Sequence, residues 1–368
     1  MTMPIPGLAG SPVSGFTYTG LPARVVFGSG TFASVRAEAE RLAIQRALVL
    51  TTPAQTAHGR AATDLLGDRA VGVFSGAMMH TPVAVTQAAL DLARELAADG
   101  IVAIGGGSTI GLAKAIAVRT GLPQIAIPTT YAGSEMTPIL GETEGRLKTT
   151  RSSPDILPEM VIYDADLTLG LPAQLSGTSG INAIAHAAEA LYSRDANPVT
   201  SLLAEQSIAA LARALPAIAD RPADRSARRD ALYGAWLSGM CLGTVGMALH
   251  HKLCHVLGGT FGLPHSETHT VILPHAIAYN AAAAPEAVAR IAAALGTSEN
   301  SGGAAMALYH LADAVGAERS LAALGMPADG LDRAADLAVA NPYWNPRPLE
   351  RAAIRDLLER AFTGTPPA

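Results

Sequence analysis

Residues 101–117 read IVAIGGGSTIGLAKAIA, and they contain the pattern from which the fold is predicted. Four apolar residues predict a short buried strand, and a helical pattern runs from Thr109 to Thr120. Between them lie Gly105, Gly106, Gly107 and Ser108. Glycines let a backbone approach a ligand closely, and the N–H groups at a helix start attract anions. The stretch therefore predicts a strand, a loop that binds a diphosphate and a helix, with a tight turn that binds nothing as the alternative.

Short apolar runs alternate with amphipathic segments on both sides of this stretch. A strand or hairpin is predicted at 16–27, strands at 47–50, 70–74, 124–127 and 160–164, and helices at 31–44, 54–66 and 81–98. Such alternation is typical of a Rossmann-like α/β domain, a parallel sheet with helices on both faces. After Gly170 the strand patterns end and alanine-rich helices continue. We therefore predict an α/β domain over residues 1–170 and an all-α domain over residues 171–368.

The composition excludes several classes of protein. With 368 residues, 49% of them hydrophobic, the chain can form a large core. A net charge of -5 without a basic run argues against a nucleic-acid partner. The two cysteines, Cys241 and Cys254, do not form a disulfide framework. No signal peptide is recognisable and no apolar run approaches the roughly 18 residues of a membrane span, so we expect a soluble, cytoplasmic protein.

Polar residues follow the strand that comes after the glycine loop. Thr129, Thr130 and Ser134 are expected to line the same crevice, because ligands bind beyond the carboxyl ends of parallel strands. An acidic residue after the second strand would bind a ribose hydroxyl and repel a 2′-phosphate. Thr51 and Thr52 stand there instead. We therefore predict that either NADH or NADPH is used.

Histidines are concentrated in one stretch. Six of the ten lie within residues 250–275, HHKLCHVLGGTFGLPHSETHTVILPH, and His186 lies in a separate helical pattern. Such a group indicates a transition metal or general acid–base chemistry. Asn182 stands one turn before His186, where a divalent metal would prefer a carboxylate. The pattern predicts a site with the geometry of a metal centre that works without a metal.

Four motifs in order resemble the iron-containing alcohol dehydrogenase superfamily. They are GGGSTIGLAKAIA at 105–117, IPTTYAGSEMTPI at 127–139, MVIYDADLTLGLP at 160–172 and the histidine-rich stretch at 250–275. The resemblance extends over most of the chain and implies a dehydroquinate synthase-like fold. Within the superfamily the chain is most similar to the maleylacetate reductases.

The resemblance also assigns site residues. An aspartate and three histidines bind the metal in metal-dependent members, and these places fall on Asn182, His186, His251 and His265. Because the aspartate is missing, the resemblance implies that no metal is bound, as in the maleylacetate reductases. It also implies that His255 is a further active-site histidine and that Lys148 lies near the cofactor.

The implied reaction is NAD(P)H-dependent reduction of the C=C bond of 2-maleylacetate to 3-oxoadipate, a step in the degradation of aromatic compounds. Hydride addition places charge on the ketone oxygen as an enolate, which a histidine can stabilise in place of a metal. We assign His251 as the enolate donor and His255 as the proton donor, although these roles could be exchanged. His186 and His265 would line the site or bind a carboxylate. The resemblance implies a homodimer.

Cations are needed for a substrate with two carboxylates. Arg146, Lys148, Arg151 and Lys252 are candidates, and each could equally be a solvated surface charge. The alternative function is a metal-dependent (Fe or Zn) alcohol or polyol dehydrogenase that tolerates Asn182 as a weak ligand. A lyase or synthase that recycles its cofactor is a third possibility, and a non-enzymatic binding protein is the weakest.

Overall fold

The computed structural model describes residues 16–21, 23–145, 147–297 and 303–368. Its strands are β1 Arg24–Gly28, β2 Ala47–Leu50, β3 Ala70–Phe74, β4 Gly100–Gly105, β5 Gln124–Pro128, β6 Ile139–Glu144, β7 Leu147–Ser152 and β8 Met160–Asp164. Six of them form a parallel sheet in the order β1-β8-β5-β4-β2-β3, while β6 and β7 form a separate antiparallel hairpin. The predicted Rossmann-like α/β domain is confirmed.

Helices cover both faces of the six-stranded sheet. They are α1 Val35–Arg41, α2 Thr56–Leu66, α3 Val83–Glu95 and α4 Gly107–Thr120. Successive side chains of a strand point to opposite faces, so a sheet covered on both sides needs continuous apolar runs. In β4, Ile101 and Ala103 join one hydrophobic core, and Val102 and Ile104 join the core on the other face. This double burial explains the unbroken apolar runs of the sequence.

One local prediction was wrong and one element was missed. The strand or hairpin predicted at 16–27 is a single shorter strand, because β1 begins only at Arg24 and residues 16–20 are irregular. The hairpin of β6 and β7 was not predicted, since its polar sequences ILGETE and LKTTRS lack a clear alternation. The hairpin is stabilised by tertiary packing, because the buried Leu140 of β6 forms a small hydrophobic cluster with Ala115 of α4.

The C-terminal part is helical, as predicted. Its helices are α5 Ala173–Tyr192, α6 Pro198–Asp220, α7 Arg225–Thr244, α8 Leu249–Phe261, α9 His265–Asn280, α10 Pro285–Ala294, α11 Gly303–Ala314, α12 Gly330–Ala340 and α13 Arg351–Thr363. Helix α5 is buried on all sides from Ser176 to Tyr192, which is typical of a helix at the centre of a domain. The division of the chain at Gly170 stays a prediction.

Helix α6 is the one helix in the described ranges that is long and apolar enough to cross a membrane. Helices α7 and α8 would pass the same test together as one bent span. The apolar residues Ile208, Leu211 and Leu215 of α6 are buried, and the helix packs against α5 and α7. Burial of this kind is typical of a core helix, and so length and composition are weak grounds for a membrane span.

Candidate active site

The glycine loop is a tight connection between β4 and α4. Strand β4 ends at Gly105 and helix α4 begins at Gly107, so the N-terminus of the helix lies at the carboxyl edge of the sheet. A Cβ atom on Gly105 would lie 2.3 Å from Oγ1 of Thr109, and one on Gly106 would lie 2.9 Å from Cγ2 of Thr130. Only glycine fits at these two positions. The loop has the geometry that admits a diphosphate against a helix N-terminus.

The threonines after β5 lie beside this loop. The N–H of Thr129 donates to the carbonyl oxygen of Gly105 at 3.0 Å, and Thr130 packs against Gly106. The side chain of Gln55 donates from Nε2 to Oγ1 of Thr129 at 2.8 Å. Sequence analysis did not identify Gln55. The feature that could have indicated Gln55 is its position just after β2. Strand β2 is a neighbour of β4, so its carboxyl end lies at the same edge of the sheet as the glycine loop.

A fully buried lysine of α4 holds the rest of this crevice segment. Nζ of Lys114 donates to the carbonyl oxygen and the hydroxyl of Ser134, to Oγ1 of Thr137 at 2.9 Å and to the carbonyl oxygen of Ile139 at 3.0 Å. Burial lowers the pKa of Lys114 to about 7, and the nearby Glu135 carboxylate opposes this shift. Lys114 of α4 therefore fixes the position of Ser134 through hydrogen bonds to its carbonyl oxygen and its hydroxyl.

The predicted cations of the hairpin are less well placed. The backbone of Lys148, in β7, pairs with that of Thr143 in β6. The side chain of Lys148 and the whole of Arg146 lie outside the described residues. Arg151 forms an ion pair with Glu142 at 3.1 Å. The role of Lys148 near the cofactor stays a prediction, and Arg151 already has a carboxylate partner.

Helices α5, α8 and α9 bring the histidines together. The ring of His186 stacks on that of His251 with centroids 5.0 Å apart, and the rings of His251 and His255 are 6.1 Å apart. His265, the first residue of α9, reaches the group through His269, whose ring lies 4.4 Å from it and 5.0 Å from His251. His186 and His251 are buried, whereas His255 and His265 are exposed. The four predicted histidines thus form a cluster with a buried and an open side.

Glu189 fixes the orientation of His251. Nδ1 of His251 lies 2.7 Å from Oε2 of Glu189, which is fully buried. The same carboxylate accepts the backbone N–H groups of Ala248 and His250, each at 2.7 Å. A carboxylate acceptor requires the proton on Nδ1, so Nε2 carries the lone pair of the neutral ring or the second N–H of the cation.

Three buried histidines of the cluster favour the neutral form. Burial lowers the pKa values of His186, His250 and His269 well below the ordinary range, and the neighbouring imidazoles lower them further. His250 and His269 also share a hydrogen bond, with Nε2 of the first 2.9 Å from Nδ1 of the second. Several positive charges therefore cannot accumulate in this interior.

A tyrosine that sequence analysis missed contacts the exposed side of the cluster. Nδ1 of His255 lies 2.9 Å from the hydroxyl of Tyr343, whose pKa is raised by burial. Tyr343 belongs to the segment between α12 and α13, where Asn345 exchanges two side-chain hydrogen bonds with Asn280, at 2.7 and 3.0 Å. Nζ of Lys252 lies 5.7 Å from the centroid of the Tyr343 ring. The sequence feature that could have indicated Tyr343 is the aromatic pair between two prolines in residues 341–347, NPYWNPR.

Five buried polar atoms of the cluster have no hydrogen-bond partner among the described residues. Three of them, Oδ1 of Asn182, Nδ1 of His186 and Nε2 of His251, lie at the expected ligand positions, and the other two are Nδ1 of His250 and Nε2 of His269. Buried polar atoms are normally satisfied, so unpartnered atoms on neighbouring helices indicate that something polar binds between them. Where Nδ1 of His186 and Nε2 of His251 carry protons, they suit a negatively charged oxygen, and where they carry lone pairs, they suit a cation.

The residues at the expected ligand positions lack the carboxylate that a divalent metal ion prefers. Asn182, His186, His251 and His265 carry no negative charge, and the carboxylate of Glu189 lies behind the ring of His251, 2.7 Å from Nδ1. Within the described ranges, the one group of three His, Cys or carboxylate ligand atoms within 4.8 Å of one another is His250, Cys254 and His269. Two of these three already share a hydrogen bond, and burial raises the pKa of the Cys254 thiol well above its ordinary value.

Two models of one protein family match most of the chain. Residues 22–165 match the model described as "Iron-containing alcohol dehydrogenase", and residues 176–362 match "Fe-containing alcohol dehydrogenase family, C-terminal". The chain is 57% identical over 352 residues to the maleylacetate reductase of Rhizobium sp. (strain MTP-10005). That match covers 96% of this chain and 99% of the relative.

Solved structures give the same result. The chain is similar to a maleylacetate reductase from Agrobacterium tumefaciens, with a TM-score of 0.92 and 57% identity over 96% of this chain and 100% of the other. A structure from Ralstonia eutropha JMP134, described as a putative alcohol dehydrogenase, has a TM-score of 0.95 and 57% identity over the same shares of the two chains.

Proposed function

The chain belongs to the iron-containing alcohol dehydrogenase family, and we propose that it is a reductase that converts maleylacetate to 3-oxoadipate with NADH or NADPH and without a metal ion. One observation carries the substrate, the 57% identity over 96% of the chain to a maleylacetate reductase. The protein is an NAD(P)H-dependent oxidoreductase. We further propose that it acts in the cytoplasm as a homodimer in the breakdown of aromatic compounds.

The cofactor would lie along the carboxyl edge of the sheet. The diphosphate would contact Gly105, Gly106, Gly107 and Ser108 at the N-terminus of α4, with Thr129, Thr130 and Ser134 along the adjoining segment. Thr51 and the half-buried Thr52 carry no charge that would repel a 2′-phosphate. When bound, the nicotinamide would supply the hydride, and the residues of this edge would hold the cofactor.

His251 is proposed to stabilise the enolate. Hydride adds to the alkene carbon β to the ketone, and the electron pair of the C=C bond moves so that charge forms on the ketone oxygen. A ring that donates through Nε2 to this oxygen while Nδ1 donates to Glu189 is an imidazolium. The Glu189 carboxylate, 2.7 Å from Nδ1, supplies the negative charge that stabilises this cation. His186, stacked on the same ring, would line the pocket.

His255 is proposed to donate the proton. The enolate takes a proton at the carbon α to the ketone, which completes the addition of one hydride and one proton across the C=C bond. Exposure supports this role, because the donor must recover its proton from water after each turnover, and His255 is exposed while His251 is buried. The hydroxyl of Tyr343, 2.9 Å from Nδ1, would orient the ring.

Lys252 is proposed to bind a substrate carboxylate. It stands next to His251 on α8, close to the ring of Tyr343, and no carboxylate in the described ranges forms an ion pair with it. Burial lowers its pKa somewhat, so its ammonium is incompletely hydrated. The exposed His265 would contact the other carboxylate.

The metal-dependent alcohol dehydrogenase remains the second candidate, because three buried polar atoms at the family's ligand positions lack partners among the described residues. One experiment separates the two functions. Purified protein is treated with a chelator, its Fe and Zn contents are measured, and maleylacetate is added with NADH or NADPH. Stoichiometric loss of the reduced cofactor by metal-free protein is the expected result. Activity that disappears with the metal and returns with Fe²⁺ or Zn²⁺ would refute the proposal.

A further inference from the structure

Arg228 of α7 is a fully buried cation. Its Nη1 donates to Oγ of Ser176 at 2.6 Å and to the hydroxyl of Tyr131 at 3.3 Å, and its Nη2 donates to the carbonyl oxygen of Leu171 at 2.9 Å. Nε donates to the carbonyl oxygen of Pro222 at 2.9 Å. No carboxylate within the described ranges forms an ion pair with it. A buried charge that is satisfied only by neutral oxygens destabilises the fold, so a functional reason for it is worth seeking.

The partners of Arg228 belong to separate parts of the molecule. Leu171 lies in the connection between β8 and α5, Ser176 in the first turn of α5, and Pro222 between α6 and α7. Tyr131 belongs to the segment that follows β5, directly after Thr129 and Thr130. A single guanidinium therefore joins the cofactor edge of the sheet to α5, the helix that carries His186.

Tyr131 is held at a second point by α5. Its backbone N–H donates to Oγ of Ser179 at 3.0 Å, and its hydroxyl also meets Oγ1 of Thr168 at 3.3 Å. Ser179 lies on α5 one turn before Asn182 and two turns before His186. The threonines at the cofactor edge are thus linked through Tyr131 to the helix that presents His186.

Helix α7 also approaches this segment through two glycines. A Cβ atom on Gly239 would lie 2.6 Å from the carbonyl oxygen of Gly133, and Gly133 itself has a φ of 77°. The backbone of the segment 129–133 is therefore confined between α5 and α7. The distance of this segment from α5 is determined by these contacts as well as by the position of the end of β5.

We propose that Tyr131, held by Arg228 and Ser179, is a positioning residue that fixes the segment 129–133 on α5 and so sets the distance between the bound nicotinamide and the substrate. The kinetic part of this inference rests on the proposed function. A displacement of about 1 Å between reacting groups can lower a rate roughly 100-fold without changing binding. Tyr131 is fully buried, so it acts through the segment that it holds.

Two conservative variants test the inference, because Arg228→Met could fail to fold. Tyr131→Phe removes the hydroxyl that meets Arg228, and Ser179→Ala removes the acceptor of the Tyr131 N–H. Tyr309→Phe and Ser320→Ala are matched controls, since they remove partly buried hydrogen bonds to the carbonyl oxygens of Gly364 and Phe362 at the end of α13, away from α5 and α7. Fluorescence anisotropy of bound NADH reports how firmly the nicotinamide is held, and it requires no substrate.

Both test variants are expected to lower the anisotropy of bound NADH and to lower kcat with maleylacetate roughly 10- to 100-fold. The dissociation constant of NADH and both KM values should stay near those of the wild type, and a deuterium isotope effect with (4-²H)NADH should rise. Variants that match their controls in anisotropy and kcat, and lose only thermal stability, would overturn the inference. A wild type that does not oxidise NADH with maleylacetate refutes the proposed function instead, and the anisotropy still decides this inference.

Discussion

Glu189 and His251 are joined by a contact of 2.7 Å between Oε2 and Nδ1, in a place where the carboxylate is fully buried. The same carboxylate accepts two backbone N–H groups at the start of α8. It therefore orients the imidazole and also anchors the helix that carries it. This carboxylate is a fixed negative charge in direct contact with the ring that is proposed to stabilise the enolate.

Glu189→Gln keeps the shape of the side chain and removes its charge. We expect kcat to fall roughly 10- to 100-fold, because the amide no longer stabilises the imidazolium, while KM for NADH stays unchanged. His251→Ala should lower kcat further, by roughly two to four orders of magnitude. Steady-state kinetics with maleylacetate measures both. Glu205→Gln, which alters the remote ion pair with Arg290, is the control. A Glu189→Gln variant with wild-type kcat would contradict the proposed role of the carboxylate.

Tyr343→Phe tests the contact with His255. Loss of the hydroxyl should lower kcat roughly tenfold, because the ring of His255 loses the partner of its Nδ1. The decisive measurement is a double-mutant cycle with His255→Ala. In the His255→Ala background, Tyr343→Phe is expected to have almost no further effect on kcat. Additive losses would show that Tyr343 acts independently of His255, for example on the substrate alone.

The elements that sequence analysis predicted best are those whose signal is local. The strand, glycine loop and helix at 101–120 are read from a few adjacent residues, and His251 and His255 share a face because they are one turn apart on α8. Double burial of the sheet left unbroken apolar runs that were easily recognised as strands. The hairpin of β6 and β7 lacked such a pattern, because only part of it faces a core.

Residues that complete the site by tertiary contact were not predictable in the same way. Gln55 and Tyr343 are brought to the crevice by the order of strands in the sheet and by a segment between two helices near the C-terminus. Nothing in their own neighbourhood in sequence indicates the partner. The same holds for Arg228, whose helical position gives no sign that its side chain is fully buried.

Lys252→Met tests the binding of a substrate carboxylate. We expect KM for maleylacetate to rise about tenfold, the loss of roughly one hydrogen bond to a charged group at a partly exposed position. KM for NADH should not change, because the cofactor edge of the sheet lies elsewhere. Lys252→Arg keeps the charge and should recover most of the affinity. Equal effects on maleylacetate and NADH would instead indicate a general change in the site.

Asn182→Asp tests the vestigial character of the metal site. An anionic oxygen next to His186 and His251 should raise the affinity for Fe²⁺ or Zn²⁺ roughly tenfold or more. Titration calorimetry on the metal-free variant and wild type measures the difference. Asn197→Asp is the control, because Asn197 caps α6, where aspartate serves equally well. Identical metal affinities of Asn182→Asp and wild type would contradict the idea that this amide is what excludes a metal.

The buried ammonium of Lys114 predicts a dependence of stability on pH. Its pKa is about 7 in the folded protein, below the ordinary value of 10.5 that the unfolded chain retains. Between these two values the unfolded chain holds a proton that the folded chain has released. The free energy of unfolding should therefore rise with pH from about 7 upward, with a slope of up to about 1.4 kcal/mol per pH unit from this group.

Lys114→Met removes this contribution, and so the difference between wild type and variant isolates it from all other titrating groups. The absolute free energy of unfolding of the variant should fall, because the carbonyl oxygens of Ser134 and Ile139 lose their donor. The test compares how steeply the free energy of unfolding rises with pH in the wild type and in the variant. Denaturation with urea at about pH 7.5 and about pH 9.5 should show wild type gaining on the order of 2 kcal/mol relative to the variant. Lys114→Arg, which keeps its proton throughout, should lack this gain, and parallel pH profiles of wild type and Lys114→Met would show that Lys114 stays charged in the fold.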